Sequence, residues 1–218
     1  MKKFTKVVCS CFVVSMFIMI ALGCASQKTI SYDVCLSTVE APADAKEQFG
    51  ETKVVSFTDQ ESSLTKYSYE DDFIAITWYV DSKQFNFTMK NKTQHTIKIN
   101  WDDISYVDYN GQTGRVMHAG VKYTDKNASQ PSSMVPKGAT ISDILLPTEN
   151  VYFASGQYGG WRETALIPNT YSNNVTPATI AAKYVGKTMT ILMPIYIENV
   201  QNDYIFNFNI NAYKVPKK

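Results

Sequence analysis

The chain has 218 residues, and its 21 Lys and Arg residues nearly balance its 20 Asp and Glu residues, for a formal charge of +1. No stretch resembles the clustered positive face that nucleic-acid binding requires, so a nucleic-acid partner is not expected. Beyond a short targeting segment, the length is enough for one large β domain or two small ones.

The N-terminal segment predicts an export signal. Three lysines within the first six residues precede an apolar run over residues 7–22, which is the layout of a secretory signal peptide. The run is shorter than the about 20 apolar residues that a membrane-spanning helix needs, and no basic flank follows it. We therefore expect the chain to leave the cytoplasm.

The end of this run resembles the lipobox of bacterial lipoproteins. The motif Ala21-Leu22-Gly23-Cys24 places a small residue directly before a cysteine. The resemblance implies that a lipid is attached to the Cys24 thiol, that residues 1–23 are removed as a lipoprotein signal peptide, and that the new amino group is acylated. Two or three acyl chains hold a protein firmly at a bilayer. An ordinary signal peptide that ends in cysteine, or an uncleaved anchor, is the alternative.

The residues after Cys24 bear on localisation. Ala25 follows the cysteine, so the Asp that resembles an inner-membrane retention signal is absent. In a two-membrane bacterium this favours the outer membrane. Residues 26–29 carry none of the acidic residues that direct some lipoproteins to the cell surface, which favours the periplasmic face. On this interpretation residues 24–31 are the lipidated cysteine and a tether, and residues 32–218 form a single domain.

Processing would change both the charge and the cysteine content. Without residues 1–23 and their three lysines, 18 basic and 20 acidic residues remain, a formal charge of −2. With Cys24 lipidated, only Cys35 is left, so no intramolecular disulfide can form. Val34 and Leu36 flank Cys35, which favours a buried apolar side chain over an intermolecular bond.

Alternating apolar and polar residues predict strands from about residue 32 onwards. The clearest strand is KQFNFTMKN, in which Phe85, Phe87 and Met89 share one face. HTIKINW repeats the pattern, and the short polar loop between the two segments predicts that they pair as a hairpin. Further along the chain, Asn110-Gly111 supplies the positive φ angles that another tight turn needs.

The last third of the chain combines an irregular segment, a short helix and a long hairpin. Residues 155–175 are rich in Gly and Asn. TPATIAAKYVG predicts one short helix near residues 177–185, with Thr176 as N-cap, Pro177 at the first helical position and Gly186 after the end. KTMTILMPIYIEN and YIFNFNINAYKV then predict a closing hairpin, with its turn at residues 201–203.

These patterns predict an all-β fold, an immunoglobulin-like antiparallel β-sandwich of nine or ten strands with one short helix. Antiparallel sheets bury one face and expose the other, in agreement with the alternation. The segment FNFTMKNKTQHTIKINW loosely resembles a hairpin of immunoglobulin-like domains in small secreted bacterial lipoproteins of unassigned function. The resemblance covers this segment alone.

The sequence carries no recognisable catalytic or metal-binding motif. His95 and His118 are the only histidines, and there is no Gly-x-Ser-x-Gly elbow. An enzyme would require one of these histidines to face a carboxylate in a cleft. Carboxylates cluster at residues 70–72 and 102–108 but match no defined calcium loop, and zinc-binding spacings are missing. We therefore expect no enzymatic activity, no metal and no cofactor.

Aromatic residues provide the best candidate binding site. GQYGGWRE places Tyr158 and Trp161 among glycines and beside Arg162, where a ring can stack on a sugar or anchor in a partner. The alternative is that Trp161 folds back over the edge of the sandwich. The main functional hypothesis is a non-catalytic interaction or structural module of the cell envelope whose exposed strand edge pairs with a partner protein. The alternative is a glycan- or peptide-binding module that uses residues 155–175.

Overall fold

The computed structural model describes residues 28–41, 55–58, 64–172 and 174–215. The predicted signal peptide and the lipobox lie outside these ranges, so the lipidation of Cys24 stays a prediction. None of the helices in the described ranges has the length and apolar character that crossing a bilayer takes.

Within these ranges the chain forms sixteen strands, and every strand pair is antiparallel. The first eight are β1 (Lys28–Thr29), β2 (Ser31–Glu40), β3 (Val55–Thr58), β4 (Thr65–Glu70), β5 (Ile74–Val80), β6 (Phe85–Asn91), β7 (Ile97–Ile99) and β8 (Ser105–Val107). The remainder are β9 (Thr113–Met117), β10 (Ser133–Val135), β11 (Thr140–Pro147), β12 (Val151–Ala154), β13 (Gly160–Glu163), β14 (Thr170–Tyr171), β15 (Thr188–Ile197) and β16 (Val200–Lys214). One short α-helix, α1, spans Pro177–Ala181.

Twelve of these strands form one continuous sheet. Its strands follow the order β2-β16-β15-β8-β9-β11-β6-β5-β4-β3, while β7 also pairs with β15 and β10 pairs with β7. The sheet curls so that β16 faces β4, β5 and β6 across the core. Two small ladders, β1–β14 and β12–β13, lie outside it. The predicted all-β antiparallel sandwich with one short helix is confirmed, with more strands than expected because several ladders are only two to four residues long.

Aromatic rings fill the space between the two halves of the sheet. The ring of Trp78 on β5 lies 5.0 Å from Phe206 and 5.6 Å from Phe208, both on β16, between centroids. The predicted apolar face of β6 is confirmed, since Phe85, Phe87 and Met89 are all buried. Buried aromatic side chains each remove a large apolar area from water, so this contact is a main source of stability.

The predicted pairing of β6 with β7 is wrong. Strand β6 pairs with β5 and β11, whereas β7 pairs with β10 and β15 on the other half of the sheet. The buried Asn91 redirects the chain, because its amide donates to the carbonyl oxygens of His95 and Val135 and its oxygen accepts from Thr93. A period of two shows which side chains share a face but does not say which strand lies alongside.

The β8–β9 turn agrees in part with its prediction. Gly111 has φ of 81°, as predicted, whereas Asn110 does not have the predicted positive φ. Thr176 caps α1, with its hydroxyl accepting from the backbone N–H of Thr179. The closing hairpin forms between β15 and β16, but it turns at Glu198 and Asn199, which both have positive φ, and not at residues 201–203. The polar residues at 201–203 continue the strand instead.

A buried carboxylate ties the β4–β5 turn to the opposite half of the sheet. Asp71 accepts from the hydroxyls of Tyr69 (3.0 Å) and Tyr204 (2.7 Å). Its other oxygen accepts from the backbone N–H groups of Phe73 and Ile74, both at 2.8 Å. Burial, followed by the charge of Asp71, raises the pKa of Tyr204, so this hydroxyl stays protonated as a donor.

We predict that Asp71→Ala lowers the free energy of unfolding by roughly 3 kcal/mol, because it removes the carboxylate that accepts from two buried hydroxyls and two turn N–H groups. Urea unfolding followed by tryptophan fluorescence measures this loss. The matched control is Asp72→Ala, which removes an exposed carboxylate from the same turn and should change stability by less than about 0.5 kcal/mol. Equal effects of the two variants would contradict the role given to Asp71.

Candidate functional site

The predicted binding segment begins with a β-hairpin that stands apart from the main sheet. Strands β12 and β13 pair through Tyr152 with Arg162, Phe153 with Trp161, and Ala154 with Gly160. The prediction of an irregular loop is therefore wrong for residues 160–163. The glycines made this strand hard to recognise in the sequence. At least one of them is required, because a Cβ atom at Gly159 would lie 2.7 Å from the carbonyl oxygen of Ala154.

Trp161 attaches this hairpin to the sandwich. It packs against a small buried cluster of Met117, Leu146 and Val151. Its ring also makes an edge contact with Tyr123, at 6.0 Å between centroids. This placement corresponds to the alternative in which Trp161 folds back over the edge of the sandwich. Its ring orients the hairpin and is only partly accessible to a ligand.

Tyr158 and Arg162 lie at the tip of the hairpin in different roles. The side chain of Tyr158 is 84% exposed. The guanidinium of Arg162 donates to the carbonyl oxygens of Tyr158 (2.8 Å) and Trp161 (3.0 Å) and so closes the tip. Of the three predicted binding residues, Tyr158 alone therefore presents a largely free side chain.

Two further exposed rings on this hairpin were missed in the sequence. Phe153 is 60% exposed and Tyr152 is 47% exposed. Neighbouring residues of a strand point to opposite faces, and an isolated two-stranded ladder has no second layer that could cover both. The signal for them was the adjacent pair of rings in VYFA directly before the glycine-rich segment.

Tyr152 borders a groove of about 890 Å³ between the hairpin and the β8–β9 turn. Residues 164–166 and 168–170, which belong to the predicted segment, form part of its wall. Tyr106 and Tyr109 contribute aromatic side chains to its lining. The lining has three acidic residues and one basic residue, namely Asp108, Glu149, Glu163 and Lys83. The groove therefore combines aromatic surface with an excess of negative charge.

Glu163 connects the hairpin to the sandwich through hydrogen bonds. It accepts from Lys83 Nζ at 2.8 Å and from the hydroxyl of Tyr123. These bonds hold the pKa of the Glu163 carboxyl below its usual value, and the bond from Lys83 has a larger effect than the bond from Tyr123. The same bond to Glu163 raises the pKa of Tyr123. The ionised carboxylate therefore helps to fix the base of the hairpin.

Both histidines face carboxylates, which was the condition set for an enzyme. His118 Nδ1 lies 3.2 Å from Asp143 Oδ2, and its ring stacks on Trp101 at 4.2 Å between centroids. His118 also borders a cavity of about 510 Å³. His95 contacts Glu198 at 2.8 Å on the surface.

This histidine geometry differs from that of a nucleophilic enzyme. Catalysis of that kind needs a hydroxyl or thiol hydrogen-bonded to the ring that acts as its base. In the part of the chain that the structure describes, no hydroxyl or thiol group bonds to the ring of His118 or His95. The backbone N–H of His118 donates to Gln130, so the segment is held from a second direction. The contacts of His118 orient the ring.

Asp102 and Asp103, in one of the two acidic clusters, accept hydrogen bonds from other protein groups. Asp102 accepts hydrogen bonds from Ser129, Gln130 and Arg115. These bonds hold the pKa of its carboxyl below the usual value, and the bond from Ser129 has the largest effect. Asp103 accepts from the hydroxyl of Tyr196 at 2.6 Å. Over residues 28–41, 55–58, 64–172 and 174–215, no three His, Cys, Asp or Glu side chains are grouped to hold a metal ion.

Cys35 is half-buried against the main core. Its Sγ accepts from the side-chain amide of Asn211 at 2.8 Å. Within the described ranges, Cys35 has a free thiol and forms no disulfide bond.

Comparison with known proteins gives no relative from which a function could be transferred. No family model matches the chain, and no curated protein or solved structure is significantly similar to it. The exposed rings of the hairpin and the groove beside them are therefore the features that bear on function.

We predict that Glu163→Gln weakens the dependence of stability on acid pH. The folded-state pKa of Glu163 lies below its ordinary value of 4.5, so its contribution is present above about pH 4.5 and is lost as the pH falls through the folded-state pKa. Urea unfolding at neutral pH and at about pH 3 should show a smaller loss in the variant than in the wild type. Glu149→Gln, which removes an exposed carboxylate from the same groove, is the control. An unchanged loss in Glu163→Gln would contradict this role.

Proposed function

We propose that the protein is a lipid-anchored, non-catalytic interaction module of the bacterial cell envelope, and that the β12–β13 hairpin contacts a partner protein. The observation that carries this proposal is the exposure of two rings on one hairpin, Phe153 and Tyr158. Exposed aromatic residues are typical of protein interfaces, where they supply most of the binding energy.

The hairpin is suited to binding because it is held in place before a partner arrives. Trp161 fixes one face on the sandwich, and the guanidinium of Arg162 closes the tip. A preorganised element loses less conformational entropy on binding than a free loop does. Strands β12 and β13 pair only with each other in the described ladders, so a partner strand can also add to an edge.

The predicted lipid anchor at Cys24 supports the same proposal. The lipobox-like motif at residues 21–24 directs an acyl anchor to Cys24. In a two-membrane bacterium, Ala25 favours the outer membrane, and residues 26–29 favour its periplasmic face. An anchored domain meets other envelope proteins at a high local concentration, so a modest interface suffices for association.

A second candidate function is the binding of a glycan or a peptide in the groove beside Tyr152. The groove of about 890 Å³ supports it, because aromatic faces with nearby carboxylates and backbone groups are the usual lining of sites for polar ligands. This function and protein docking use opposite faces of the hairpin. Tyr152 faces the groove, whereas its neighbour Phe153 points to the other side of the strand.

We predict that Cys24→Ala abolishes incorporation of radiolabelled palmitate and leaves unprocessed precursor in the membrane fraction, because the thiol accepts the lipid before cleavage. The control is Cys35→Ala, which removes the cysteine of β2 and should be labelled and processed normally. A mature, soluble protein from Cys24→Ala would contradict the lipoprotein assignment.

We predict that a photo-crosslinking amino acid at Tyr158 captures a stoichiometric envelope protein in intact cells, whereas the same probe at exposed Val200 does not. Phe153→Ala should weaken binding of the purified partner roughly 30-fold, since an interface aromatic residue contributes about 2 kcal/mol. Met134→Ala is the matched control, because Met134 is equally exposed on another strand.

If neither probe position gives an adduct, docking through the hairpin is wrong. The purified protein is then screened against glycans and peptides, with Tyr152→Ala as the variant that should lose binding in the groove.

A further inference from the structure

Charge is distributed unevenly along the chain, and two stretches that lie near α1 lack acidic residues. The sequence has no acidic residue from Thr164 to Ile197 and none after Asp203. The described residues of these stretches include Lys183, Lys187 and Lys214, so both stretches carry positive charge. Since the processed chain would have a formal charge of −2, these stretches are strongly basic relative to the remainder.

Three lysines that are far apart in sequence are brought to one place by a small hydrophobic cluster. Ile30, Tyr171 and Ala181 pack together, with Tyr213 against them. Lys28 lies two residues before Ile30, Lys183 two residues after Ala181, and Lys214 directly after Tyr213. All three lysines are exposed, and each lies within two residues of a member of this cluster in the sequence.

An apolar depression lies within the same surface. It has a volume of about 380 Å³ and is lined by Ala178, Ala182 and Val185 beside α1 and by Ala212 and Tyr213 of β16. Val185 is itself exposed. Asp33, which pairs with Ala212, is an acidic residue at its border. We call this region, with Lys28, Lys183 and Lys214 at its margin, the α1 surface.

The tether places the α1 surface next to a membrane. Only three residues separate Cys24 from Lys28, and four residue steps span at most about 14 Å. Lys28 begins β1, which pairs with β14, and Ile30 packs on α1. An acyl anchor on Cys24 therefore holds this end of the sandwich within reach of the lipid headgroups.

We infer that the α1 surface binds anionic phospholipid headgroups, with Lys28, Lys183 and Lys214 contacting the phosphates and the apolar depression meeting the lipid–water boundary. The inference rests on the proposed lipid anchor, because the tether brings the surface to the bilayer. A basic residue near an anionic membrane contributes favourably within about a Debye length, and an apolar patch adds to this at the interface. The domain thus has a defined orientation on its membrane.

The orientation can be measured on the full lipidated protein in vesicles of phosphatidylcholine and phosphatidylglycerol. A fluorophore on Val185→Cys, in a Cys35→Ala background, is compared with one on Val200→Cys. Val200 is also an exposed valine but lies at the far end of the ten-residue β15–β16 ladder, roughly 30 Å from the α1 end. A quencher attached to lipid headgroups should quench the label at residue 185 and leave the label at residue 200 unaffected.

Quenching at residue 185 should be lost when Lys28, Lys183 and Lys214 are all changed to Gln, while the protein stays anchored. It should fall in the same way at high salt and in vesicles of phosphatidylcholine alone. The matched control changes the exposed Lys90, Lys122 and Lys137 to Gln, which should keep the quenching. Thermal unfolding of both triple variants verifies that they are folded.

Mass spectrometry of the same samples separates the two proposals. If Cys24 is acylated but residues 185 and 200 are quenched equally, or the two triple variants behave alike, the α1 surface inference is overturned and the lipoprotein proposal stands. If Cys24 carries no lipid, both are overturned.

Discussion

The structure depends on the contact of Trp78 with Phe206 and Phe208, which closes the curled sheet on itself. Strands β5 and β16 lie far apart along the sheet, and this ring packing is a main contact that brings its two halves together. Asp71 then fixes one end of the closed sandwich by accepting from Tyr204 across the core. With the interior filled by side chains, binding is left to elements attached at the periphery.

Two such elements, the β12–β13 hairpin and α1, are held by small clusters separate from the main core. Residues 164–171 connect them: this segment leaves the hairpin after Glu163, lines the groove, and pairs with β1 through Tyr171. This segment therefore links the groove and the exposed rings to the strand that follows the proposed anchor. Under the proposed function, the membrane and the partner are held by different surfaces of the domain.

One exposed ring of the candidate site could be predicted from local patterns, and most of the remainder could not, for identifiable reasons. Tyr158 was found because glycines leave adjacent rings uncovered. The role of Trp161 depends on Met117 and Leu146, which are distant in sequence and give no local signal. The basic α1 surface was invisible for the same reason, since Lys28 and Lys214 lie at opposite ends of the domain.

Local patterns were sufficient to predict the β class, the buried face of β6, the cap of α1 and the glycine of the β8–β9 turn, because each follows from side-chain alternation or from the backbone preferences of one or two residues. They could not predict which strands pair, as the separation of β6 from β7 at Asn91 shows. Alternation fixes the face that a side chain occupies, whereas pairing depends on the packing of rings from remote segments, such as Trp78 and Phe206.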